Sequence, residues 1–137
     1  MSRLICTLPC ENFIVSQDNK VSLISLIEAL VIGIPANAPI ADNATIPMRW
    51  FAVCIFERLP GDENKEFETY VDVGSVRSVA ARFKFAGRQH RVIHQIMGLP
   101  LQFGSLRLRT FLGEVGQTPV NVGEYPLELQ RLPETTH

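Results

Sequence analysis

The sequence shows no membrane-length apolar run, no glycine-rich phosphate loop and no cysteine pairing pattern, and its opening residues do not read as a secretory signal; each lack weighs against a class of function. Arg3 is followed by Leu4 and Ile5, but Thr7 and Pro9 interrupt the chain before the apolar centre of a secretory signal forms. The longest apolar run, Val21 to Ile34, covers 14 residues and carries Ser22, Ser25 and Glu28. A membrane-spanning helix needs about 20 apolar residues. A cytoplasmic location with no membrane partner is the expectation. Cys6, Cys10 and Cys54 are three in number, without the paired spacing of a zinc site or a disulfide framework. They read as reduced, mostly buried thiols.

Catalytic signatures are equally scarce. There is no Gly-x-Ser-x-Gly turn and no Cys-His pair that spacing would join. Gly113-Glu114-Val115-Gly116 is too short and too acidic to cradle a phosphate, and reads as a hairpin turn. His90 and His94 stand four positions apart, the spacing of two zinc ligands on a helix, but Arg91 follows His90 where a metalloprotease carries its glutamate base. On a strand the two imidazoles would stand about 13 Å apart, too far for one ion. Neither a metal nor a cofactor is expected.

What is present is an ordinary globular balance. In 137 residues, 46% are hydrophobic and 20% charged, which suits one folded domain and excludes wholesale disorder. Residues 1–132 read as that domain and 133–137 as a disordered tail.

Period-two alternation bounded by turn residues predicts about eight strands. They run from Leu4 to Ser16, with a bend at Pro9, from Lys20 to Ile27 after the polar turn Gln17-Asp18-Asn19, and from Thr45 to Arg58. The others are Glu66 to Val73, Ala80 to Ala86, Gln89 to Met97, Ser105 to Leu112 and Val120 to Leu132. Between Val21 and Ile34 the apolar spacing also fits a helical face, so residues 28–34 read as strand or helix. Gly33 to Thr45, with Pro35 and Pro39, suits an extended crossing between sheets. The strand from Thr45 to Arg58 is apolar on both faces: Trp50, Ala52, Cys54 and Phe56 on one, Phe51, Val53 and Ile55 on the other. Such a strand is central and covered on both sides. Trp50 reads as a core residue. The expected fold is all-β: an antiparallel two-sheet β-sandwich, immunoglobulin-like or of a related Greek-key arrangement.

Several blocks carry a resemblance: Cys10-Glu11-Asn12 followed by Asp18 to Lys20, Trp50 in a long strand, His90-Arg91-Val92-Ile93, Gly98-Leu99-Pro100, and Val122-Gly123-Glu124-Tyr125-Pro126-Leu127. Together they resemble a widespread family of small bacterial and phage-associated β-sandwich proteins, a domain of unknown function. The similarity spans nearly the whole chain and implies the sandwich. It carries over no catalytic or ligand residue.

Charge is the feature that departs from the ordinary. Val73 to Gly113 holds seven bases (Arg77, Arg82, Lys84, Arg88, Arg91, Arg107 and Arg109) and no acid, whereas all fourteen carboxylates and six bases lie elsewhere. Arg82, Lys84, Arg88, Arg91, Arg107 and Arg109 are therefore candidates for binding a polyanion or nucleic acid. The competing expectation is that Glu66, Glu68 and Asp72 neutralise them across the sheet. Phe83, Phe85 and Phe111 are expected to face the core rather than stack on bases. The leading functional expectation is a non-enzymatic interaction or structural module that pairs with itself or another protein through open sheet edges. An enzyme with a loop-assembled site around His90, His94 and Glu124 is the remaining alternative.

Overall fold

In the computed structural model, residues 2–33, 39–41 and 43–131 are described. Pro35 and the expected tail at 133–137 lie outside the described residues. Among the described residues, ten strands and no helix form two packed sheets. They are β1 (Arg3–Val15), β2 (Val21–Leu26), β3 (Ala29–Ile32), β4 (Thr45–Glu57), β5 (Glu66–Val73), β6 (Val76–Arg77), β7 (Ala81–Lys84), β8 (Gln89–Pro100), β9 (Gly104–Glu114) and β10 (Val120–Arg131). The first sheet runs β2-β1-β4-β8. The second is curled like half a barrel and runs β3-β10-β9-β5-β6, with β7 also on β5.

The all-β fold agrees with the sequence, but the pairing is not wholly antiparallel. β3 runs parallel to β10, with Ala29 opposite Glu128 and Ile32 opposite Arg131. The ambiguous segment is therefore a strand over Ala29–Ile32, with Leu30 and Ile32 partly buried against the core. Ile27 sits at the crossing, 4% exposed, its N–H donating to the Pro9 carbonyl, and from there the chain passes from the first sheet to the second. The expected strand at 80–86 is the shorter β7, and a two-residue strand the sequence did not suggest, β6, precedes it; both pair with β5, and residues 78–80 join them.

One core fills the space between the sheets, built from Trp50, Ala52, Cys54 and Phe56 of β4 with Phe67, Val71, Leu108, Leu112, Leu127 and Leu129 of the second sheet. Trp50 is 1% exposed, and its Nε1–H donates to the Gly98 carbonyl at 2.8 Å, so the one polar atom of the ring is satisfied inside the core. A shorter polar link also crosses it: the Thr7 and Thr110 hydroxyls lie 2.7 Å apart, joining β1 to β9.

The two-sided apolar strand has its second cover from an unexpected source. Leu8 pairs with Val53 and Cys10 with Phe51, so these residues share the outer face of the first sheet. Val53 is 1% exposed and Cys10 0%. The cover is the β1–β2 hairpin. By simple alternation Phe13 would share the inner face with Pro9, yet its ring meets Phe51 edge-on at 5.0 Å. The ladder skips the Glu11 and Ser25 pair, and Ser25 has a φ of 55°, a left-handed conformation that a residue with a Cβ adopts at a cost. Beyond that break the hairpin turns over the sheet. Its tip is pinned there by Arg91, whose guanidinium donates to the Asn19 carbonyl at 3.1 Å and to Asn19 Oδ1 at 2.8 Å.

Candidate functional site

The six anion-binding candidates do not converge. Side-chain alternation along β7 and β9 sends Arg82, Lys84, Arg107 and Arg109 to the outer face of the second sheet, opposite to Phe83, Leu106 and Leu108, which are buried. Arg77 of β6 joins them there, opposite Asp72. Arg91 stands instead on the outer face of the first sheet, engaged with Asn19, and Arg88 lies in the turn before β8, beside Glu57 and Glu63. The expected set is thus split over two faces and a turn.

On the outer face of the second sheet, bases stand opposite acids in register, and Arg109 closes an ion pair with Asp72. Lys84 pairs with Glu66, Arg82 with Glu68, and Arg77 with Asp72. Directly opposed residues of an antiparallel pair have Cβ atoms about 5 Å apart, close enough for opposite charges to stabilise each other. Arg109 stands between Asp72 on β5 and Glu124 on β10. Its Nε–H donates to Asp72 Oδ1 at 2.8 Å and an NH2 proton goes to Oδ2 at 3.0 Å, a bidentate pair whose carboxylate side chain is 5% exposed. Hydrogen bonding to Asp72, then its charge, hold the guanidinium even more firmly protonated than usual. Arg107 faces Pro126, with Glu124 and Glu128 at the diagonal positions. Basic and acidic residues therefore alternate across this face.

One aromatic expectation is overturned. Phe83 and Phe85 are core residues at 7% and 6% exposure, but Phe111 lies on the outer face, stacked on Tyr70 at 4.8 Å. Arg107, Arg109 and Phe111 have the same parity on β9, so the sequence already carried the signal for an outward ring. The Arg77 guanidinium lies 4.3 Å from the Tyr70 ring centre and that of Arg109 5.4 Å from Phe111. The rings are therefore engaged with one another and with two arginines, as in cation–π packing.

Nor do His90, His94 and Glu124 assemble. The histidines share the inner face of β8, opposite Phe56 and Ala52, while Glu124 stands on the outer face of the second sheet and accepts from Asn121. The His90 ring stacks on Phe83 at 4.5 Å, and burial followed by the charge of Arg91 lowers its pKa. His94 is 2% exposed between the Ser78 and Thr69 hydroxyls, each at 3.5 Å, and burial alone pulls its pKa down to about 4. Among the described residues no group of three or more His, Cys, Asp or Glu could hold a metal.

The thiols are free and lie on opposite sides of the first sheet. Cys6 and Cys10 pair with Ile55 and Phe51 of the outer face, whereas Cys54 packs in the core, and the bend at Pro9 does not join them. Burial pushes the Cys54 thiol up to about 11, against hydrogen bonds from Thr7 and Thr110 that lower it. It is an inert core residue in this environment.

Sequence reasoning missed the exposed apolar surface of the hairpin. Ile14, Val15, Ile24 and Leu26 are 58%, 43%, 40% and 46% exposed. They lie on β1 and β2, and β2 is an edge strand paired with β1 alone. Val31 of β3, the edge of the second sheet, is 53% exposed. A water-facing strand ordinarily alternates apolar with polar residues, so adjacent Ile14 and Val15 both in solvent depart from that pattern. No helix among the described residues is long and apolar enough to cross a membrane. No family model matches this chain, and no curated protein matches it.

Proposed function

We propose that this protein is a non-enzymatic interaction module whose β1–β2 hairpin pairs with a second copy of the chain or with a larger assembly as an accessory subunit. The observation that carries the reading is the hairpin's exposed apolar group, Ile14, Val15, Ile24 and Leu26, beside the unpaired edge of β2. An open edge offers backbone N–H and C=O groups to another strand, and exposed apolar side chains add burial to that pairing. Sandwich packing of an immunoglobulin-like or related Greek-key kind, a cytoplasmic location and the bacterial or phage setting implied by the resemblance belong to the same proposal.

Sedimentation velocity over a wide concentration range tests it. Self-association that Ile14→Lys and Ile24→Lys abolish, with the fold intact by circular dichroism, supports the reading. A strict monomer at the highest concentration, with no partner captured by the wild type and lost by the variants, refutes it.

Polyanion binding is the weaker reading, because Glu66, Glu68, Asp72, Glu124 and Glu128 stand opposite or diagonal to the bases of the second sheet. Salt-sensitive binding to nucleic acid that Arg82→Glu and Arg107→Glu remove would restore it.

A further inference from the structure

The segment 78–80 joins β6 to β7 between the two sheets and lies against β8, with Ser78 Oγ 3.5 Å from His94 Nδ1 and Val79 and Ala80 sharing a groove with Ile93 to Gln95. This strap is lightly held. Ladder pairing on β5 ends with Arg77 opposite Asp72 and resumes with Ala81 opposite Thr69. Between those points, Ser78 supplies the attachment: its N–H donates to the Val71 carbonyl at 2.9 Å, and its Oγ accepts from the Val71 N–H at 3.0 Å. Val79 is 87% exposed and makes no cover of its own. Beside the strap runs a groove of about 400 Å³, lined by Val79, Ala80, Ala81, Ile93, His94, Gln95 and Met97. His94 is among the residues lining that groove, yet only 2% of it is exposed.

The hydrogen bonds around His94 fix its neutral form. The Thr69 hydroxyl donates to the Phe111 carbonyl at 2.7 Å, so its oxygen must accept from His94 Nε2. With the ring hydrogen on Nε2, Nδ1 is the acceptor, and the Ser78 hydroxyl, which accepts from Val71, donates its proton to it. One tautomer, with hydrogen on Nε2, satisfies the whole chain from Val71 to Phe111. A second proton on Nδ1 turns that acceptor into a donor facing the Ser78 hydroxyl and leaves the serine proton without its acceptor. The neighbours on every packed element are neutral: Ala52 and Cys54 on β4, Thr69 and Val71 on β5, Ser78 on the strap, and His90 further along β8. No carboxylate contributes to the environment of the ring, for which burial is the sole influence. A cation there gains stability by reaching water through the adjoining groove.

We propose that residues 78–80 form an acid-released latch: protonation of His94 reverses its hydrogen bond with Ser78, strands the serine proton and buries a cation, and the strap lifts to open the seam between β5 and β8. The rest of the core stays folded while the latch opens. This proposal is independent of how the hairpin associates.

Hydrogen–deuterium exchange of the full chain between about pH 7.5 and pH 5, corrected for intrinsic chemical rates, reads the latch at the Val71 and Ser78 amides. With the ring returning from a value of about 4 to the ordinary 6.5 on opening, the open population rises on the order of 30-fold over that interval. The amides of Ala52 and Leu108, in the core, are expected to keep their protection. His94→Gln, which keeps polar groups without titrating there, is expected to remove the pH dependence, and His90→Gln to leave it intact. Unchanged strap protection, opening that His94→Gln retains or His90→Gln abolishes, or core amides that lose protection in step with the strap would each overturn the proposal. If His94→Gln does not fold, the wild-type chain still decides: strap opening at a pH where the His94 ring signals do not titrate also overturns it.

Discussion

Removing the Arg109 guanidinium should destabilise the fold more than removing its partner Asp72, because the two ends of the pair sit in different surroundings. The Asp72 side chain is 5% exposed and the Arg109 side chain 41%. In Arg109→Ala, a nearly buried carboxylate loses two charge-assisted hydrogen bonds with little water to replace them, a loss of about 3 kcal/mol. In Asp72→Ala, the arginine retains water and its contact with Phe111, so the loss is about 1.5 kcal/mol. The double variant no longer buries an unpaired charge and should cost about 2.5 kcal/mol, which leaves a coupling of roughly 2 kcal/mol between the positions. Equilibrium urea denaturation of the four proteins measures the cycle. An Asp72→Ala loss as large as that of Arg109→Ala, or a coupling below about 0.5 kcal/mol, would refute the view that this outer face is held by internal charge pairing.

Other perturbations test separate parts of the structure. His94 has a folded pKa of about 4 against an ordinary 6.5, so the unfolded chain binds the extra proton between those values. Stability should therefore be full above about pH 6.5 and fall as pH drops toward 4, by about 3 kcal/mol in all, and His94→Gln should flatten that part of a urea-midpoint profile. Thr7→Val and Thr110→Val should each cost about 1 to 2 kcal/mol by leaving one buried hydroxyl short of a partner, while the double variant costs less than the sum, as thermal denaturation would show. Gly113→Ala places a Cβ 2.8 Å from the Pro119 Cα, so the backbone of the β9–β10 turn must shift, and a loss of about 1 to 3 kcal/mol is expected in the same assay.

The parts of the fold that were legible in the sequence were those set by local chemistry. The Gln17 to Lys20 turn follows from residues that tolerate its geometry, and Asn19 indeed takes a φ of 64°. Alternation from Ile46 to Phe56 identified the central strand because both of its faces are apolar. The placement of β3 was not legible, since Leu23, Leu26, Ile27, Leu30 and Val31 satisfy helical and extended patterns alike. What decides it is β10, about a hundred residues further along, which supplies the parallel partner. The fold-over of the hairpin was hidden for a related reason: it depends on the left-handed Ser25, and serine has no strong preference for that conformation.

For the candidate sites, sequence could count charges but not pair them. The absence of acids between Val73 and Gly113 suggested one basic surface. The strand order instead places β5, with Glu66, Glu68 and Asp72, between β7 and β9. Phe111 was misplaced although its parity with Arg107 and Arg109 was available. The exposed group on the hairpin had no such signal, because the exposure of Ile14, Ile24 and Leu26 depends on which strands lie beside β1 and β2.

If the β2 edge and its apolar side chains form the contact surface of this protein, hydrogen–deuterium exchange of Val21–Leu26 should depend on protein concentration. Outward-facing amides of β2 are expected to become protected as concentration rises, and Ile24→Lys to prevent this without altering the Trp50 environment. Exchange in β2 that stays the same from dilute to concentrated solution, and in the presence of any captured partner, would contradict it.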